Sequence, residues 1–237
     1  MDSSTSAPAL VNHNSIDPLR DNKSSVEILA VMGDDLMVVN AARVSFHKES
    51  HEFSEADGKL VRYLAKHNHI SPFFHPQIHM RLKMPIFVAR EWFRHTIGFS
   101  RNEVSRRYVD SKAETYDPLQ VRARDPRLKQ GSKEEPVENN ADVSDQIARS
   151  HAAAVEAYES LLEQQVAPEV ARMVLPQSMY TEFVETASLY GYARLCKLRL
   201  DPHAQREIQA YAEAVDSLLH QRFPVSWAAL MADVGAK

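Results

Sequence analysis

Residues 77–95 read QIHMRLKMPIFVAREWFRH, and this stretch decides the fold class. From Gln77 to Met84 the pattern alternates strictly, with Ile78, Met80, Leu82 and Met84 on one side and Gln77, His79, Arg81 and Lys83 on the other. A period of two is the mark of a half-buried strand whose second side is wet or faces a site. Pro85 then suits the first position of a helix through IFVAREWFRH, since its missing N–H is one that a helix start leaves unpaired. A strand running into a helix indicates a mixed fold.

On the N-terminal side, Val26 to Met32 is a short apolar run suited to a strand. Asp34 and Asp35 follow where a helix start favours negative charge, ahead of LMVVNAARVSF. Glu55 to His67 reads as a helix with Leu60, Tyr63 and Leu64 as its apolar stripe. Residues 1–25 are polar and are expected to form a flexible arm, leaving one domain over 26–237. Within it, residues 110–143 are rich in charge, proline and asparagine and read as a loop or insertion. The second half reads as helical. Ile147, His151, Val155, Tyr158 and Leu162 recur at helical spacing, as do Ile208, Tyr211, Val215 and Leu218. Pro168 to Leu175 and Ser188 to Leu200 add two more helices, the latter stopped before Asp201-Pro202. With no internal repeat, the fold class is α+β in a single domain, a small sheet flanked by helices.

Composition narrows the function. Apolar residues make up 44% and charged residues 25% of 237, which suits a globular chain and not a disordered or fibrous one. No run approaches the roughly 18 apolar residues of a membrane helix, and no secretory signal is visible, so a cytoplasmic protein without membrane partners is expected. The single cysteine, Cys196, excludes an internal disulfide and multi-cysteine metal sites. A net charge of −4 gives no support to bulk nucleic-acid binding. Six glycines cannot build a Rossmann or P-loop cradle in the spacings present here.

Three constellations carry potential chemistry. The densest is Arg94 to Tyr108, RHTIGFSRNEVSRRY. Counting from Arg90, five arginines (90, 94, 101, 106 and 107) meet only Glu91 and Glu103. Forked guanidinium donors with serine hydroxyls suit a phosphate monoester or diphosphate, although a solvated basic turn has the same composition. The second is His67, His69, His75 and His79, a spacing compatible with zinc or with histidines hydrogen-bonded near a loop. The third joins Arg172 in RMVLP to Arg194, Lys197 and Arg199 in RLCKLRLDPH. Cations sharing a helix with apolar residues either reach a site opening or snorkel outward. Cys196, in the same helix, reads as a small buried hydrophobe.

Taken together, these segments resemble the flavin-dependent thymidylate synthases. The family signature is R-H-R, seven or eight residues, then serine, commonly within N-E-x-S-x-R-Y. Here Arg94-His95-Thr96 is followed by eight residues and Ser105, within Asn102-Glu103-Val104-Ser105-Arg106-Arg107-Tyr108. AARVSF (41–46), HISPF (69–73), PIFVAREWFRH (85–95), VARMVLP (170–176) and LRLDPHAQREIQ (198–209) are similar to family blocks in the expected order. Several ordered blocks over about residues 26–228 are far more specific than one short pattern.

The resemblance implies reductive methylation of dUMP to dTMP in a homotetramer with FAD sites between chains. Methylenetetrahydrofolate would supply the carbon, and FAD reduced by NADPH the hydride. Carried over by position, Ser71, Arg94, His95, Thr96, Ile97, Glu103, Ser188, Tyr190 and Arg194 would lie along the flavin. Glu91, Arg94, Glu103, Ser105, Arg106, Arg107 and Arg172 would surround dUMP, with His69 near the reacting rings. Arg199 would face the uracil as the catalytic residue. No metal is implied. The two other readings of these residues are a non-catalytic nucleotide or RNA-binding module and a histidine-site metallohydrolase.

Three departures from the family pattern stand out. Thr96 replaces the signature's second arginine, a loss that Arg101 is placed to make good. Glu91 stands where glutamine is common, and so calls for pairing with Arg90 or Arg94. Ser188, Tyr190 and Arg194 occupy positions where asparagine and arginine are frequent.

Overall fold

The structure, a computed structural model, describes residues 15–109, 112–118, 120–127 and 131–232. In chain order the first elements are β1 (Ser15–Ile16), β2 (Ser25–Met32), α1 (Asp35–Arg43) and α2 (Glu55–Lys66). Next come β3 (Gln77–Pro85), α3 (Ile86–Trp92), β4 (Phe99–Glu103), β5 (Arg122–Arg124) and β6 (Ser132–Pro136). The remainder is α4 (Asn140–Glu163), α5 (Pro168–Ala171), β7 (Tyr180–Ser188), α6 (Leu189–Arg199), α7 (Arg206–Arg222) and α8 (Pro224–Met231). The class is α+β: an antiparallel sheet in the order β1-β2-β3-β7-β4 with helices packed on it.

The alternation in 77–84 is realised as β3, with Ile78, Met80, Leu82 and Met84 all buried on the helix side. Pro85 ends the strand and serves as the N-cap of α3. Asp34 caps α1 by accepting from the Met37 N–H at 2.9 Å. Asp35 turns instead to the start of α8 and accepts from the N–H groups of Val225 and Ser226, at 2.9 and 2.8 Å. A carboxylate at a helix N-terminus pairs donors that the helix itself cannot satisfy. It also ties the first helix to the last. The core between sheet and helices contains Trp92, Tyr192, Tyr211, Phe223 and Trp227, each essentially inaccessible.

Four expectations are corrected. First, the arm read over 1–25 ends earlier: Ser15 and Ile16 pair with Glu27 and Val26, and Asp17 and Asp21 bind the 22–24 turn. Residues 1–14 of that reading lie outside the described residues. Second, the second half is not only helical. Tyr180–Ser188 is the strand between β3 and β4, and its β-branched and aromatic content (Tyr180, Thr181, Phe183, Val184, Thr186) is the signal for it. Third, the Arg94–Tyr108 segment, which could be read as a solvated basic turn, contains at Phe99–Glu103 the edge strand β4, paired to β7 from Phe99–Ala187 to Glu103–Phe183. Fourth, the 110–143 segment holds the hairpin of β5 and β6, and its last residues already belong to α4.

His151 of α4 joins Asp117 through Nδ1 at 2.6 Å and Ser178 through Nε2 at 2.8 Å. This row fastens α4 to the segment before the hairpin and to the approach to β7.

Candidate active site

The turn Arg94–Gly98 lies between α3 and β4, and α6 runs beside it. Gly98 has φ +78°, a left-handed conformation that glycine adopts without strain, and so turns the chain into β4. Arg94, His95, Thr96, Ile97 and Phe99 line a cavity of about 260 Å³ together with Gly191, Arg194, Leu198 and Arg199 of α6. A side chain at Gly191 would crowd the Phe99 ring, 3.3 Å from the position a Cβ would take. The glycine thereby lets α6 approach the turn.

Arg199 is the best-held charge at this place. Its Nε–H donates to His95 Nε2 at 3.0 Å, Nη1 to Glu91 Oε2 at 3.1 Å, and Nη2 to the Glu91 carbonyl at 3.1 Å. A guanidinium has five N–H donors, so two remain for a bound molecule. Its side chain is only 18% exposed. The ring of His95 accepts at Nε2, which places its proton on Nδ1. Burial, followed by the nearby Arg199, Arg101 and Arg194 charges, pulls its pKa down to about 4. His95 is therefore neutral at neutral pH and is an acceptor for Arg199.

The pairing of Glu91 corrects an expectation: Arg199 takes it, not Arg90 or Arg94. The fate of Arg101 corrects another. Instead of replacing the missing cation at position 96, it turns inward. Arg101 Nε donates to the Glu185 carboxylate at 2.5 Å and Nη1 to the His95 carbonyl at 2.7 Å. Its guanidinium lies over Phe99, 4.5 Å from the ring centre. Glu185 also accepts the Trp92 indole N–H at 3.0 Å. Burial pushes the Glu185 pKa up, and Arg101 opposes that shift.

A larger cleft of about 580 Å³ opens on the other side of Arg199. Glu91, Arg94 and Arg199 form one wall; the β5–β6 hairpin and the 202–206 loop form the other. Arg122 docks the hairpin by a contact of its Nη2 with both carboxylate oxygens of Glu207, at 2.8 and 3.0 Å, and ties the two hairpin strands together by a bond to Ser132 Oγ at 2.8 Å. Arg206 and Glu134 add an ion pair. The charge-rich segment that reads as an insertion thus forms a wall of the site. Sequence reasoning missed both Arg122 and Glu185, because each gains its meaning only from a partner about 85 residues away.

The remaining candidates divide by position. Ser188 is buried, and its hydroxyl caps α6 by accepting from the Gly191 N–H at 3.1 Å. Tyr190 packs on Phe74, with ring centres 5.1 Å apart. Ser71 and His69 are exposed around the turn before β3, His69 edge-on to Tyr63. Glu103 ends β4 and accepts from the Thr181 hydroxyl at 2.6 Å. Ser105, Arg106 and Arg107 follow in a turn where Arg106 reaches the Lys112 carbonyl and Arg107 lies over Tyr108 at 5.2 Å. Arg172 is exposed in a short helical turn after α5. The chain therefore gathers Glu91, Arg94, His95, Thr96, Ile97, Arg194 and Arg199. It leaves Ser71, His69, Glu103, Ser105, Arg106, Arg107 and Arg172 outside both clefts.

In the histidine group, His79 is bonded to Thr186 Oγ1 at 2.8 Å and His67 lies against Tyr63. Cys196 is fully buried, its thiol directed at the Ala212 carbonyl, and burial raises its pKa well above the usual thiol value. A thiol so placed is a packing residue.

The residues around the 260 Å³ cavity suit a flavin. Ile97 and Leu198 present exposed apolar surface, 65% and 61%, suited to a planar ring system. Arg94 and Arg194 line the same cavity and have no hydrogen-bonded side-chain partner among the described residues, as anion-binding groups require.

Comparison with known proteins gives the family. Residues 27–225 match the family model described as thymidylate synthase complementing protein. The flavin-dependent thymidylate synthase of Thermus thermophilus is 41% identical over 208 residues, 88% of this chain and 76% of that protein. The Thermotoga neapolitana enzyme of the same name is 40% identical over 210 residues, 89% and 92% of the two chains. Among solved structures, the UMP/dUMP methylase PolB from Streptomyces cacaoi bound with 5-Br dUMP superposes with a TM-score of 0.79 at 31% identity. That match covers 88% of this chain and 95% of PolB. The chain belongs to the flavin-dependent thymidylate synthases.

Proposed function

We infer that this chain methylates dUMP to dTMP, with methylenetetrahydrofolate as carbon donor and FAD, reduced by NADPH, as cofactor. The observation that carries this reading is Arg199, fixed on three donors by Glu91 and His95 with two donors left over, beside a cleft that also holds Arg94. Reduced FAD, when bound, supplies the hydride.

The residues of the chain supply the rest. Uracil C5 is a weak nucleophile until negative charge is drawn onto the ring. A guanidinium already oriented beside N3 and O2 stabilises that charge where it develops, without reorganising at the moment of reaction. Arginine suits the position because it stays protonated throughout. Arg94, His95, Thr96, Ile97 and Arg194 would hold the flavin in the smaller cavity, while Glu91, Arg94 and Arg199 hold the pyrimidine end of dUMP in the larger. Arg107, Ser105 and Arg172 would bind the phosphate of a dUMP in a neighbouring copy's site, an arrangement supported by their position outside this chain's clefts. A homotetramer, a cytoplasmic location and the absence of nucleic-acid and membrane partners complete the reading.

The test is reconstitution with FAD followed by an assay of dTMP formation from dUMP, methylenetetrahydrofolate and NADPH. Flavin absorbance and dUMP-dependent dTMP are expected. Flavin-loaded protein that forms no dTMP would overturn the reading.

A further inference from the structure

We propose that Arg101, anchored by the buried Glu185, is a positioning residue that holds His95 and through it aims Arg199. The proposal rests on the functional reading above and adds a role for two residues that the reading does not use.

Arg101 and Glu185 are direct partners in the β4–β7 register, so both project from the same face of the sheet. That face is the core. The Glu185 side chain is fully buried and the Arg101 side chain 14% exposed. A charge pair in such a place has given up much hydration, and a pair of apolar residues of the same size would fill the space at no loss of stability. Its geometry offers something an apolar pair does not. With Nε on Glu185, the rigid guanidinium plane directs Nη1 at the His95 carbonyl, 2.7 Å away. Glu185 is itself located by the Trp92 indole N–H of α3, the helix that leads into the turn.

The hold matters because, apart from the ring's bond to Arg199, few hydrogen bonds among the described residues fix His95. Its backbone N–H bonds to the Trp92 carbonyl, and the next bond in the turn runs from Phe99 to Thr96. Thr96, Ile97 and Gly98 are all exposed. Among the described residues, the Arg101 contact is the side-chain hydrogen bond that ties this turn to the sheet. On its other side, the His95 ring accepts the Nε–H of Arg199. Four residues therefore run in a row from a fixed strand to the guanidinium that faces substrate: Glu185, Arg101, His95 and Arg199. Lose Arg101, and the His95 backbone is free to shift relative to β7, carrying the Arg199 acceptor with it. Displacements of about 1 Å in a positioned group cost on the order of 10²-fold in rate.

Arg101→Met and the double variant Arg101→Met/Glu185→Gln separate positioning from stability. The single change leaves a buried carboxylate without its cation and lowers Tm. The double change neutralises that carboxylate, keeps an acceptor for Trp92 and returns Tm toward wild type. Positioning requires that kcat for dTMP formation stay depressed in the double variant, by about 10-fold to 100-fold, while the Kd for dUMP by calorimetry changes less than about threefold. A second readout is the nitrogen NMR spectrum of the His95 ring, whose Nδ1–H tautomer is sharp in wild type and averaged in the double variant. Recovery of kcat together with Tm would show a purely structural pair and overturn the proposal. A double variant that does not fold would do the same. Wild-type protein inactive under the same assay would sink the functional reading instead, and the Tm and NMR results would stand apart from it.

Discussion

The Nε–H of Arg199 meets the ring nitrogen of His95 at 3.0 Å, across 104 residues of sequence. An arginine fixed in this way is asked to stabilise charge that appears only during reaction, so its removal should act on turnover before binding. Arg199→Ala is expected to lower kcat by about 10²-fold to 10³-fold, the usual cost of losing one preorganised donor, with a smaller loss in dUMP affinity. Single-turnover dTMP formation beside dUMP calorimetry decides the point. Equal losses in both would make Arg199 a binding residue only.

The same contact sets a pH dependence. In the unfolded chain His95 takes up a proton near 6.5, whereas in the fold it does so only at about 4. Between those values the unfolded state binds more protons. The stability that neutral His95 provides is therefore complete above pH 6.5 and drains away as the pH falls towards 4. His95→Gln keeps an acceptor for Arg199 but removes the titration. Wild type should lose more Tm than His95→Gln between pH 7.5 and 4.5. Parallel Tm curves would show that His95 titrates normally in the fold.

How much of this was legible beforehand follows from how local each signal is. β3 announced itself by strict alternation over eight residues, and α1 and α3 by their capping residues, because periodicity and caps are properties of neighbouring side chains. β7 was missed: its core-facing series runs Phe183, Glu185, Ala187, and a charge at the central position breaks the pattern that marks a buried face. That charge makes sense only once Arg101 lies opposite it on β4. The site divides in the same way. Arg94, His95 and Arg199 stood out through the ordered family blocks. The Glu91–Arg199 pair and the hairpin wall, held by Arg122 on Glu207, are products of tertiary contact and left no local trace.

Glu91 offers a third test. Its carboxylate offsets part of the Arg199 charge that the pyrimidine anion needs, while its oxygen also orients the guanidinium. Glu91→Gln keeps an oxygen acceptor and removes the negative charge. Since both side chains are partly exposed, the gain is modest, about fivefold in kcat with dUMP affinity little changed. Glu91→Ala removes the orienting oxygen as well and should lower kcat by about tenfold or more. A glutamine variant as poor as the alanine one would mean that the carboxylate charge itself is required.

Arg107 and Arg199 belong to different parts of the chain. Arg199 sits between the two clefts, whereas Arg107 is exposed beyond the far end of β4 and lies over Tyr108. If both serve one dUMP, symmetry supplies the solution: each chain of a two-fold pair lends Arg107 to one site and Arg199 to the other. Arg107→Ala and Arg199→Ala proteins should then each be inactive alone. In a mixed pair, one site collects both defects and the other receives both intact arginines. With random exchange, half the pairs are mixed and half their sites are whole, so about a quarter of wild-type activity should return in the whole mixture and about half in isolated mixed pairs. Co-expression with different tags, isolation of hybrids and a dTMP assay measure this directly. Hybrids that contain both chains and remain inactive would place both arginines in one chain's site. The guanidinium chemistry at Arg199 would survive that result, because the groups that hold Arg199, Glu91 and His95, belong to the same chain.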